Sequence, residues 1–152
     1  MKQTVLLLLS AMLLLGACAA REGIEVREAW ARPSTQGANS AVYFVIQNHN
    51  AENDELVGAA SDAAEAVEIH ESKMEGDVMT MHRVESVALA PSEKVEFEPG
   101  GLHVMLIGLE RDLKAGDEIE VTLQFRDSPD IAVKATVRDA DGMETQSMEH
   151  SP

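Results

Sequence analysis

The stretch GGLHVMLIGL, residues 100 to 109, decides how the rest of the chain reads. It follows Glu98-Pro99, so Glu98 to Gly101 suits a tight turn with proline second and glycine third. The residues after the turn are apolar apart from His103 and the small Gly108. In a strand, alternate side chains share a face. Leu102, Val104 and Leu106 then form a core face. His103 and Met105 stand together on the other, which reads as exposed.

Working outward, the chain repeats this form. Upstream lie Ile24 to Ala31, AVYFVIQ (41–47), Leu56 to Ala60, AVEIHE (66–71), DVMTMHRVES (77–86) and KVEFEPGG (94–101). Downstream lie DEIEVTLQF (117–125) and DIAVKATVR (130–138). Each run is short and rich in Val, Ile, Phe or Leu. Turn signals separate them at Lys73 to Asp77, Ala90-Pro91-Ser92, Ala115-Gly116-Asp117 and Asp127 to Asp130. About eight or nine short strands at this spacing predict an all-β sandwich or barrel. No helix-period pattern appears outside the N-terminal segment, and no internal repeat.

The chain has 152 residues, enough for one domain. Its formal net charge of −15 argues against nucleic acid as a partner and suits a soluble, monomeric surface, or one that attracts cations. With one cysteine, Cys18, no internal disulfide and no cysteine-based zinc site can form. Eight methionines and five histidines are left for soft chemistry.

MKQTVLLLLSAMLLLGACAA opens with Lys2 and an apolar run from Val5 to Leu15. The run is short for a membrane span and fits a secretory signal. It ends in Leu15-Gly16-Ala17-Cys18, which resembles a bacterial lipobox, with the Cys18 thiol as the acceptor of the lipid. The expected division is a signal peptide over 1–17, a lipid-anchored linker over 18–23, a β domain over 24–138 and a disordered acidic tail over 139–152. Such a chain is extracytoplasmic, in the periplasm, and held to a bacterial membrane by its lipid.

The alternation rule also sorts the other candidate ligands. Val67 and Ile69 point inward, so His70 points outward with Glu68. Met79 and Met81 share one face of their run. Val78, Thr80, His82 and Val84 share the other, so Met81 or His82 is available on a given side, not both. A lone methionine in a strand is ordinarily core filler and a lone histidine is ordinarily just hydrogen-bonded. Imidazole and thioether together are a neutral, soft donor set that selects Cu(I) over harder ions. It needs no thiolate and survives in an oxidising compartment.

The run from His70 to Met105 resembles the signature of the periplasmic copper chaperones of the PCuAC type. His70 is followed by ten residues and Met81, then by twenty-one residues and His103-Val104-Met105. AWARPSTQGANSAVYFVIQN, EIHES, EPGGLHVMLIGL and LKAGDEIEVTLQF are also similar to that family, over roughly residues 24 to 126. The resemblance implies a cupredoxin-like Greek-key β-barrel or sandwich with one Cu(I) site. Its ligands would be His70, Met81, His103 and Met105. The role implied is delivery of copper to the CuA centre of cytochrome c oxidase, with a Sco-type thiol protein or oxidase subunit II as partner. Some members carry methionine directly after the first histidine, where this chain has Glu71. Met143, Met148 and His150 resemble tail extensions in some relatives that add a second copper site; His82 could join it or assist a Cu(II) state.

Catalysis is not expected. No Ser or Asp beside these histidines suggests a triad, and Cys18 is assigned to lipid. Two alternatives remain open at this stage: a copper storage or tolerance lipoprotein, and an anchored interaction module without metal.

Overall fold

A computed structural model describes residues 22–139. The signal segment, Cys18, Met143, Met148 and His150 lie outside the described residues. Ten strands follow one another: β1 (Ile24–Ala31), β2 (Ser40–Asn48), β3 (Asp54–Ala60), β4 (Ala64–Glu75), β5 (Val78–Arg83), β6 (Val87–Leu89), β7 (Lys94–Phe97), β8 (Leu102–Leu109), β9 (Glu118–Phe125) and β10 (Ile131–Val137). There is no helix among the described residues. The fold is all-β and cupredoxin-like, as expected, with one strand more than the sequence suggested.

The strands form one mixed sheet in the order β5-β4-β8-β7-β2-β1-β10-β9-β3-β6, with β8 also pairing β2. The sheet does not close. It doubles over a single core, to which β2 contributes Val42, Phe44 and Ile46, β8 contributes Val104 and Leu106, and β9 contributes Val121 and Leu123. Burial of these branched side chains is the main force holding the layers together. Phe44 stacks on Phe97 with ring centroids 4.3 Å apart. Strand β2 is central: it pairs with β1, β7 and β8, and Tyr43, on its other face, is buried too.

Two irregularities aim residues toward the site. In β1 the register shifts between Arg27 and Trp30, and Glu28 takes a φ of 57°. This bulge sets Trp30 opposite Tyr43, with ring centroids 4.6 Å apart. The second is the turn before β8. Gly101 N–H donates to Glu98 C=O (3.0 Å), and Gly100 has a φ of 85°. That is the type II turn read from the sequence, and its third position requires glycine.

The turn placed at Lys73 to Asp77 is tighter than expected. Strand β4 continues to Glu75, and only Gly76-Asp77 connects it to β5. Gly76 at φ 66° fits the first position of a two-residue type II′ hairpin, which lets the ladder extend to the tip.

At the far end of the sandwich Asp54 is buried and accepts three backbone N–H bonds, from Glu55 (2.7 Å), Asp127 (3.1 Å) and Ser128 (3.0 Å). Burial pushes its carboxyl pKa up, but the hydrogen bonds from Ser128, Asp127 and Glu55 outweigh that and hold it below 3.8. Its stabilising effect is therefore present above that pH and lost as pH falls through the depressed value. Asp54→Ala strands these donors and costs about 1–3 kcal/mol. Thermal unfolding at neutral pH reads the deficit, and the gap from wild type narrows in acid.

Candidate metal centre

Strand register brings the motif together. On β4 and β8, His70 stands opposite His103 and Glu68 opposite Met105. On β4 and β5, Ser72 stands opposite Met81. Directly opposed residues project from the same face. Glu68, His70, Ser72, Met81, His103 and Met105 therefore share one side of the sheet. Ala41 of β2 stands opposite Met105 and extends that face toward Tyr43.

A cleft of about 410 Å³ opens over this face; Arg32, Tyr43, Ser72, Met81, His103 and Met105 are among its lining residues. His70 is not part of the lining. It sits beside it, with its ring centroid 6.0 Å from that of His103. Metal–imidazole bonds are about 2 Å long, so two rings at this separation can reach a common ion.

The face is less open than the alternation rule implied. His103 is only 4% exposed, whereas Met81 is 49% exposed. The Tyr43 ring lies 6.3 Å from His103, and Pro33, Pro99 and Gly100 also wall the cleft. The histidine forms the floor and the methionine the rim.

Each histidine has one nitrogen committed and one available. Nδ1 of His103 lies 3.0 Å from Gly101 C=O. A carbonyl only accepts, so Nδ1 carries the proton and Nε2 the lone pair. His70 is held the other way. Its Nε2 lies 2.8 Å from the Glu68 carboxylate, which Arg83 grips from its other oxygen at 3.1 Å. In the neutral ring the lone pair of His70 is then on Nδ1, which is buried and has no hydrogen-bond partner. Buried polar atoms are nearly always paired. An unpaired imidazole nitrogen on a ring 6.0 Å, centroid to centroid, from a second imidazole is what a ligand pair for a soft ion requires.

The charges agree. The hydrogen bond from His70, aided by Arg83, holds the Glu68 carboxyl below its ordinary pKa, so it stays an acceptor. Burial lowers the His103 pKa, the Gly101 carbonyl opposes that, and His70 adds to it; the net shift is downward. Neutral His103 is the ligand form. In the unfolded chain histidine titrates near 6.5, so apo stability is full above that pH and falls as pH drops from there through the lower folded value. We expect the melting temperature of the apo protein to decline across that acid window, and the decline to shrink in His103→Gln.

Other candidates fall elsewhere. His82 stands opposite Glu71, on the far side of the β4–β5 hairpin from Met81, and contacts Glu75 and Thr80. His49 contacts Glu25. Among the described residues no group of three or more His, Cys, Asp or Glu could hold a metal ion. Sequence reading missed Tyr43 and Arg32. Burial raises the Tyr43 pKa, which Arg32 opposes, but no local pattern marks either residue as part of a site.

Comparison with known proteins fits this geometry. Residues 24–137 match a family described as "Putative lipoprotein LpqE-like". The chain is 33% identical over 122 residues to "Putative lipoprotein Lxx21020" of Leifsonia xyli, covering 80% of this chain and 73% of that one. Among solved structures, the copper-bound PCuAC domain from PmoF2 superposes with a TM-score of 0.65 at 25% identity, covering 76% of this chain and 92% of that domain. The solution structure of CuI-DR1885 from Deinococcus radiodurans gives 0.57 at 28% identity, over 80% and 84%. The family label thus differs in wording from the one the motif suggested, while the structural neighbour from PmoF2 is a PCuAC domain.

Proposed function

The chain belongs to the LpqE-like lipoprotein family, and from that premise we propose that it is an extracytoplasmic Cu(I) chaperone anchored to the membrane through lipid on Cys18. It captures copper with His70, Met81, His103 and Met105 and delivers it for CuA assembly in cytochrome c oxidase, through a Sco-type thiol protein or directly to subunit II. It acts by binding and release and not by catalysis.

The observation that carries this reading is the unpaired, buried Nδ1 of His70 beside His103. The copper-bound and Cu(I)-bound states of its structural neighbours support the same ion here. Arg83 and Glu68 orient His70, and the 98–101 turn orients His103. Both imidazoles are thus fixed before the ion arrives, and outer partners of this kind sustain metal affinity. Met105 lies in the cleft and Met81 at its rim. Thioethers are neutral and weak, so the ion is held without a deprotonated sulfur and can move to a thiolate site that binds it more strongly.

The deciding experiment is transfer. Cu(I)-loaded protein is mixed with an apo CuA domain, with and without a Sco-type protein, and the CuA absorption bands are followed. Delivery predicts their growth at the expense of the loaded chain. Retention of the ion under all conditions would favour storage instead.

A further inference from the structure

The face that carries the site does not stop at Met81. Met74 and Met79 stand directly opposite each other near the tip of the β4–β5 hairpin. Met74 is two residues beyond Ser72, and Met79 is two residues before Met81, so all project from the same side as His70 and His103. Met74 is 60% exposed and Met79 54%. The opposite side of the hairpin carries Lys73 paired with Glu71 and His82 paired with Glu75. Of the large apolar side chains exposed among the described residues, all but Val57 lie on this hairpin, and three of them are these methionines.

Core filling does not account for Met74 and Met79, since neither is buried. Directly opposed side chains on a ladder have Cβ atoms about 5 Å apart, within reach of a shared ion for long, flexible thioethers. We propose that Met74 and Met79 form an outer thioether site where Cu(I) lands before passing by way of Met81 to the inner site, and from which it leaves. The inference rests on the Cu(I) reading of the inner site.

The step is a ligand exchange. A copper–donor bond to the incoming carrier breaks as a copper–sulfur bond to Met74 or Met79 forms. No electron moves and, because a thioether carries no proton, none is released. The −15 charge of the chain favours approach of a cation. An outer landing site lowers the barrier between carrier and inner site without changing either end state. Capture and release then change by the same factor and affinity does not change.

The test uses the full chain and Cu(I)–bicinchoninate as the copper source. Met74→Leu with Met79→Leu keeps the apolar volume and removes both sulfurs. Stopped-flow loading, and release to excess chelator, should each slow by about tenfold or more, as loss of roughly 1.4 kcal/mol of barrier stabilisation gives. Equilibrium affinity for one Cu(I) should match wild type. Val78→Ala, on the other side of the hairpin, should leave both rates alone. In wild type, the methyl resonances of Met74 and Met79 should shift on adding a second equivalent of Cu(I). Wild-type rates in the double variant, or unmoved methyl resonances, would overturn the outer site while leaving the inner one intact. Failure of the inner reading shows separately, as absence of a tight first equivalent.

Discussion

Replacing His103 by alanine should lower Cu(I) affinity by more than about 100-fold, beyond the 10–100-fold that loss of an outer-shell partner costs. His103 is the most enclosed member of the set, at 4% exposure, and its Nε2 lone pair is fixed by the Nδ1–Gly101 bond. Without it, one imidazole and two weak thioethers remain. The fold should tolerate the change, because the Gly101 carbonyl also accepts the Ser72 N–H at 3.0 Å and keeps a partner. A competition titration with a Cu(I) chelator measures the loss, and circular dichroism of the apo variant shows that the sandwich persists. Met81→Ala should act in the same direction and less strongly, since that thioether sits half-exposed at the rim. Unchanged affinity in His103→Ala would remove the site as drawn.

The second large effect is on stability. Phe44→Ala should cost about 3–5 kcal/mol, a large share of the roughly 5–15 kcal/mol that holds a domain folded. Phe44 is 1% exposed, stacks on Phe97, and belongs to the strand that three others pair with. Its removal opens a cavity under the face that carries Tyr43. Denaturant titration of the apo protein measures the deficit. On the proposed reading copper binds only the folded chain, so free Cu(I) at 100 times its dissociation constant should restore about 2.7 kcal/mol. A loss below about 1 kcal/mol would mean that β2 is not the centre of the core.

Most of the strands were legible because β-branched runs bounded by Gly, Pro and Asp have few other readings. Strand β1 runs over the residues the sequence marked. Strand β6 was not separated, because Val87–Leu89 has three residues and follows β5 without a strong turn signal. The β1 bulge was also invisible: nothing in the local composition announces that Glu28 takes a positive φ. At the site, period-two alternation was enough to put His103 with Met105 and to split Met81 from His82. It could not reveal that the face is roofed, since Tyr43 and Arg32 arrive from segments sixty or more residues before His103. Nor could it give the tautomers, which depend on Arg83 of β5 reaching Glu68 of β4 and on a carbonyl in the preceding turn. Period and spacing can be read along a chain, whereas protonation is settled across strands.

X-ray absorption at the copper edge of the Cu(I)-loaded full chain tests the central claim most directly. Two imidazoles and two thioethers on one ion predict a mixed shell of nitrogen and sulfur neighbours, with the sulfur contribution reduced in Met81→Ala and in Met105→Ala. A shell of nitrogen and oxygen alone, or a sulfur shell indifferent to both substitutions, would contradict it.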